Sequence, residues 1–450
     1  MLRISKTTGI GELERLAHEL EKSPTADFVI DHALSEYFQP GVVAAAIQVI
    51  ASWCRKSSSA RMITNLASIE SVDKFLTEMH LNPHLLVAIL MTDLDKVYYS
   101  GGQRSIDSME SIVTNEYRKL EGLFNEGFSK VLEQQIRELK VLATSDADEK
   151  IGVAIKRLSL IKKENEGIKK AFLKYDRPSY LLSTFDHIPR LSHPRFFYDN
   201  KLNIKNEDQL SGLIGSMLKN SKFGSVNEIY QQKGYLELAG LIKELFQNTD
   251  SCAKIDFRTQ KKYSPNIRSV YFGVHSASMD GEDIGDDPVI TYINNLAADR
   301  LAEKEDGQKS MLDDDVENKR QIGLFEISVI DSGPGLASHI SKNHDIYSLD
   351  IATELRAVQE CFKKNMTSDT SSINFMKGRG LARVIGIVKN KGFIKVRTGR
   401  LSLFRDFYKK GLDLEEINSQ TVNFSYLEGD LAKLEGTLIS VFYPFTYAPK

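Results

Sequence analysis

Apolar positions change period several times along the chain, and each change marks a different kind of element. Ala26 to Asp31 (ADFVID) is a short apolar run that predicts a strand, Val42 to Cys54 (VVAAAIQVIASWC) a buried helix, Arg61 to Leu66 a strand and Ser71 to His80 a helix. That alternation is the rhythm of a small α/β domain over residues 1–105, with Gln39-Pro40-Gly41 turning the first strand into the helix that follows. From Ser108 to Leu142 the pattern lengthens: Ile112, Tyr117, Leu120, Phe124, Val131 and Leu139 recur at helical spacing among charges, without a proline. A second helical pattern runs from Ile151 to Tyr175, after the polar hinge Thr144 to Asp148, and ends at Arg177-Pro178. Residues 106–178 are expected to form a helical hairpin.

Tyr180 to Ile204 mixes prolines, histidines and aromatics in no regular period, so residues 179–204 read as a linker. The last domain, 205–450, opens with helical patterns at Asp208 to Leu218 and Tyr235 to Asp250, followed by strands at Ser269 to His275 and Leu324 to Ile330. Between those strands lies an acidic stretch, 276–320, including Glu303 to Arg320, that reads as a surface insertion. The fold class expected from the whole pattern is α/β and multidomain.

Composition narrows this picture in three ways. With 59 Lys and Arg against 61 Asp and Glu, the chain has no general electrostatic drive toward nucleic acid or an anionic membrane. The basic second arm of the hairpin (Lys156, Arg157, Lys162, Lys163, Lys169, Lys170, Lys174) lacks the interleaved aromatics that stack on bases, which favours a solvated helix face. Cys54, Cys252 and Cys361 are an odd, scattered set that suits a reducing compartment. With no signal-peptide pattern and no apolar run of the roughly eighteen residues a spanning helix needs, a cytoplasmic protein is expected.

Four short motifs in the last domain carry chemistry. Glu244-Leu-Phe-Gln-Asn248 puts a carboxylate and an amide four residues apart on one helix face, where the first can accept a proton and the second can ligate Mg²⁺ carrying phosphates. Asp331-Ser-Gly-Pro-Gly335 follows the apolar strand FEISVI; a carboxylate there can accept from an adenine amino group, and the glycines admit close backbone approach. Lys377-Gly-Arg-Gly-Leu381 opens a helix through Ala382 to Val388, and glycine-rich backbone at a helix amino terminus presents N–H groups to phosphate. Glu435-Gly-Thr-Leu438 leads into the strand ISVFYP, with Thr437 able to hydrogen-bond a base or the aspartate that holds it. Taken singly, each has an ordinary account: a solvated helix face, a tight turn, a helix cap, a strand start.

In order and context together, these residues resemble the N, G1, G2 and G3 boxes of the GHKL superfamily, which includes gyrase, heat-shock chaperone, histidine kinase and MutL ATPases. The resemblance covers Ser221 to Pro444. It implies a Bergerat-type α/β sandwich, with helices on one face of a mixed sheet, binding ATP and Mg²⁺. It makes Glu244 the general base, Asn248 the Mg²⁺ ligand and Asp331 the adenine contact. Gly333, Gly335, Gly378, Gly380 and Thr437 would shape the pocket and its lid, and Lys377 and Arg379 would add charge toward phosphate. The chain departs from the family at Ser251, where an acidic residue is frequent; Asp250 lies one position earlier. The lid, between Leu336 and Lys377, has a helical pattern near Asp350 to Lys364 and a polar run, Thr367 to Ser372. The segment VIDHALSEYFQPGVVAAAIQVIASW, with FLTEMHL after it, resembles STAS-like domains, but Pro40-Gly41 stands where phosphorylated antagonists carry a hydroxyl.

Three functions are compatible with this site. Hydrolysis of ATP driving a conformational switch that signals to a protein partner comes first, with a homodimer through the hairpin as its natural route. Serine/threonine phosphorylation of a separate protein, as the anti-sigma kinases perform, is the second; a histidine autokinase is disfavoured because Ser108 to Leu142 contains no histidine. Nucleotide sensing with negligible turnover is the third.

Overall fold

A computed structural model describes residues 1–5, 7–31, 39–57, 61–64, 83–92, 97–99, 179–188, 191–194, 196–219, 232–256, 259–276, 287–307, 321–341, 346–363, 380–389, 392–413, 415–416, 422–427, 429 and 431–447. The helix expected at Ser71 to His80, the hairpin and its hinge, the polar run Thr367 to Ser372, and Lys377, Gly378 and Arg379 lie outside these residues.

The amino-terminal unit is a four-stranded parallel sheet, β1 (Leu2–Ile4), β2 (Phe28–Ile30), β3 (Met62–Thr64) and β4 (Val97–Tyr99), in sequential order. Helices α1 (Ile10–Lys22), α2 (Val42–Lys56) and α3 (Pro83–Met91) fall between successive strands. Crossovers of one hand between strands laid down in one direction place connecting helices on one face of such a sheet. Helix α2 is apolar nearly all round, and only a helix covered on both sides reads that way. Its run from Val42 to Trp53 is almost entirely buried: Trp53 meets Phe28 of its own sheet at 5.3 Å between rings, while Gly41 at its start abuts Phe442 of the second sheet.

That second sheet has seven strands: β5 (Ser179–Phe185), β6 (Ile267–Ser276), β7 (Gln321–Asp331), β8 (Phe393–Gly399), β9 (Leu401–Asp406), β10 (Ser425–Tyr426) and β11 (Leu434–Tyr447). The order is β10-β9-β8-β11-β7-β6-β5, and every pairing is antiparallel, where a mixed sheet was expected. One face carries Arg268, Val270, Phe272, Phe325, Ile327, Val329, Asp331, Thr437 and Ile439. It is packed by α5 (Gln232–Cys252), which is flanked by α4 (Glu207–Lys219) and α9 (Gly380–Val388). The opposite face is covered as well, contrary to the expected helices on one face. Helix α2 lies on it beside Glu326, Leu438 and Ser440, and α6 (Pro288–Gly307) lies beside Leu324, Phe393 and Phe442.

Two sequence expectations change here. Ser179–Phe185, read as linker, is the edge strand of the large sheet, paired from Ser179↔Gly273 to Phe185↔Ile267. Leu191, Phe196, Phe197 and Tyr198, farther along that segment, are buried. The acidic insertion, read as surface, contains α6, whose Val289, Ile290, Tyr292, Ile293 and Leu296 are 5% exposed or less. Burial of such side chains is worth about 1.5–3 kcal/mol each, enough to make the start of α6 part of the core. Asp287 accepts from Val289 N (2.8 Å) and from Lys395 Nζ (2.7 Å), pinning that start to β8. Among the described residues no helix is long and apolar enough to cross a membrane.

Candidate functional site

The pairing of β7 with β11 sets Asp331 directly opposite Thr437, so the second and fourth motifs meet by strand register. The ladder between β11 and β8 is irregular between Leu434 and Thr437, and Gly436 sits in that bulge at φ 73°. A Cβ on Gly436 would lie 1.8 Å from the Asp331 carbonyl oxygen, so no side chain fits. Gly335, also left-handed at φ 84°, lets the chain turn beneath Thr398, whose Oγ1 accepts from Leu336 N (3.0 Å) and donates to Gly436 O (3.2 Å).

Asp331 itself is buried. Its carboxylate accepts from Gly333 N (2.9 Å) and from the Thr437 backbone N–H. Burial outweighs those bonds and pushes its pKa up from 3.8 to about 6, against the pull of Arg268 and Arg55. Ser332 is locked on both sides: its N–H donates to Ile267 O (3.1 Å), and its hydroxyl accepts from Ile267 N (3.0 Å) and donates to Asn266 Oδ1 (2.7 Å).

Beneath this turn lies a buried ionic network that sequence reasoning missed. Arg268, fully buried, makes two bonds to Asp186 (2.7 and 2.8 Å) and one each to Asp250 (2.8 Å) and the Tyr198 hydroxyl (2.9 Å). Burial opposes its charge, but the Asp186 bonds dominate with the other partners and hold the guanidinium ionised. Asp250 is bound also by Lys254 (2.5 Å) and Tyr198; burial raises its pKa, yet these bonds prevail and lower it. The available signal was a lone arginine at the head of the otherwise apolar run from Ser269 to Val274.

Helix α5, which carries the first motif, packs against α9, which begins at the described end of the third. Glu244 and Asn248, both half-buried, lie one turn apart on α5, as their spacing requires. Helix α5 runs into the Asp331 turn, where Ala253 blocks any Cβ on Gly333 at 2.7 Å. Gly380, the described end of the glycine motif, begins α9, and one turn along α9 Arg383 donates to Glu244 Oε1 (3.0 Å) and to both oxygens of Glu207 on α4 (2.7 Å each). Those bonds, Glu207's first, hold the guanidinium above its ordinary pKa and Glu207 below its own. The sequence offered a signal for this residue too, since Arg383 follows the glycine motif by a single helical turn.

The region read as a lid is anchored in its described part. Helix α7 (Leu336–Ser341) leads to α8 (Ile351–Glu360), which begins where Asp350 accepts from Thr353 N (2.7 Å). Glu354, fully buried, accepts from Arg400 N and Nε (2.9 Å each) and so ties α8 to the turn between β8 and β9. Among the described residues no group of three or more His, Cys, Asp or Glu side chains could hold a metal ion. Asn248 would be the protein ligand of a Mg²⁺ carried here by nucleotide phosphates. Compared with protein-family models, with curated proteins and with solved structures, the chain matches none.

Proposed function

We propose that this face of the large sheet binds ATP with Mg²⁺ in the manner of GHKL proteins, and that Glu244 activates water for its hydrolysis. The observation that carries the reading is that the second and fourth motifs face each other across one strand pair, and that on the same face of the sheet the helix carrying the first motif packs against the helix that the third motif opens. Asp331 opposes Thr437, the Asp331 turn abuts α5, and α9 reaches Glu244 through Arg383. A Bergerat-type sandwich is the fold this implies, with α6 and α2 as added cover on the second face.

Each group has a physical task. Asp331, ionised above pH 6, accepts from the amino edge of the base, and the backbone at Gly333 and Gly335 lies close because no side chain stands there. The amino terminus of α9, with Lys377 and Arg379 before it, offers N–H groups and charge to the phosphates. Asn248 holds Mg²⁺, which neutralises phosphate charge when bound. Glu244 takes the proton of the attacking water. That proton can reach it only after Arg383 yields its bond or a second carboxylate oxygen turns outward. Signalling to a protein partner would follow from this rearrangement.

The test is to supply Mg²⁺ and γ-labelled ATP and follow bound nucleotide, free phosphate and labelled protein together. Asp331→Asn is expected to abolish binding. Glu244→Ala is expected to bind normally and to release phosphate roughly 10²–10⁴-fold more slowly. Transfer of label to a protein would replace hydrolysis with phosphotransfer, and failure of the wild-type chain to bind millimolar ATP would overturn the nucleotide reading.

A further inference from the structure

The carboxy-terminal end of α2 reaches from the amino-terminal unit onto the turns that frame the adenine contact. Arg55 Nη1 donates to the carbonyl of Ser332 and lies 3.5 Å from that of Gly333; the same nitrogen is 3.8 Å from the Glu435 carboxylate. The guanidinium stacks over the ring of Tyr263 at 4.3 Å. One turn earlier, Ser52 Oγ accepts from Glu435 N (2.8 Å), the backbone N–H that the β11 bulge withdraws from the ladder. The contact is partly buried on both sides, with Arg55 and Glu435 at 16% and 17% side-chain exposure.

The geometry has a direction. In the Asp331 turn the N–H of Gly333 points back to the Asp331 carboxylate, while the carbonyls of Ser332 and Gly333 point to Arg55. A charged donor on those carbonyls fixes the peptide planes, and the planes fix where the Gly333 N–H aims. The Glu435 side of the pocket is held by the same helix through Ser52. We infer that Arg55 is a positioning residue for the nucleotide site, holding the Asp331 turn and the Glu435 turn at one separation so that the carboxylate meets the base. This rests on the ATP reading above. It also assigns the amino-terminal unit a share in base selection.

The experiment uses the full chain and measures the affinities of ATP and GTP for wild type, Arg55→Ala, Arg55→Lys and Lys56→Ala. Lys56 is the control because it bonds the neighbouring carbonyl of Lys433 (3.0 Å) from the same helix end without touching the Asp331 turn. Arg55→Ala is expected to weaken ATP roughly tenfold, the scale of one charged hydrogen bond, and GTP far less, so that the preference for adenine narrows. At saturating ATP, kcat should be unchanged while KM rises. Arg55→Lys should recover part of the ATP affinity, and Lys56→Ala should bind both nucleotides as wild type does. Equal ATP affinity in Arg55→Ala and wild type overturns the inference. So does an equal loss for ATP and GTP, or the same loss in Lys56→Ala, because either would mark a general effect of the interface. If the wild type binds neither nucleotide, the ATP reading itself has failed and this inference falls with it.

Discussion

At the Asp331 end of the candidate site the carboxylate is held by backbone, whereas at the Glu244 end side-chain charges hold one another. Asp331 is buried, opposes Thr437 in a continuous ladder, and is flanked by glycines that tolerate no substituent. Glu244 is half-buried and fixed by Arg383, itself substantially exposed and shared with Glu207. The first arrangement costs desolvation and gives a fixed geometry. The second costs little and can be exchanged, because an ion pair near solvent is worth less than about 1 kcal/mol. Recognition of a base needs the former and a step that makes and breaks contacts to phosphate needs the latter, so the contrast fits one site with two tasks.

The comparison breaks most severely at Gly436. Gly436→Ala forces a left-handed φ on an L-residue and drives a methyl into the Asp331 carbonyl 1.8 Å away. A loss of about 3 kcal/mol or more is expected, read from denaturant unfolding, with nucleotide binding lost in whatever fraction remains folded. The equivalent change at Gly386, inside α9 and with nothing within 4 Å, should raise stability by about 0.5–1 kcal/mol.

Asp331→Asn sharpens the contrast by separating stability from function. The folded-state pKa is raised, from 3.8 to about 6, so the carboxyl favours the fold when protonated; that contribution is complete below pH 3.8 and is lost as pH rises through 6. At pH 7.5 the wild type therefore carries a buried charge that the amide lacks, and Asp331→Asn is expected to be more stable by roughly 1–3 kcal/mol. Near pH 4 the two should unfold together. Nucleotide binding by the wild type should fall as pH drops through 6, and the variant should not bind at any pH. Melting curves and calorimetric titrations at pH 4, 6 and 7.5 test both halves. A variant less stable than wild type at pH 7.5 would mean that the Gly333 and Thr437 bonds outweigh the burial of the charge.

Different parts of this architecture were legible in sequence to different degrees, for physical reasons. Helix α2 could be read because its apolar residues surround it, and the turn after FEISVI because Asp, Gly and Pro have few other uses at a strand end. The strand Ser179–Phe185 was missed because it is buried on both faces, which removes the alternation that marks a strand, and because Pro178 and Pro189 bracket it. The first half of α6 was hidden by the charges that follow it: an acidic average over 276–320 conceals the buried Ile290, Ile293 and Leu296. At the site, spacing predicted which residues of one helix share a face. It could not predict Arg268 beneath Asp331 or Arg55 behind it, since both act across sequence separations that only the packed layers close.

The smallest effect is expected at the Glu244 end, where Arg383→Ala removes the bond to Glu244 and both bonds to Glu207. Because Arg383 is largely solvated, unfolding should shift by under about 1 kcal/mol, in contrast to Gly436→Ala. ATP affinity should stay within about twofold of wild type, because the proposed contact to the base lies at the other end. Phosphate release should rise, since the Glu244 carboxylate, no longer bonded to Arg383, is free to face water. Glu207→Gln offers the complementary measurement: with one claim on Arg383 weakened, the guanidinium should bind Glu244 more tightly and slow the same step. Opposite effects of the two substitutions on phosphate release, at constant ATP affinity, are what an exchangeable ion pair requires. A parallel loss in both would mean that the triad of Glu207, Arg383 and Glu244 only braces α4, α5 and α9 against one another, and the contrast between the two ends would then be one of burial alone.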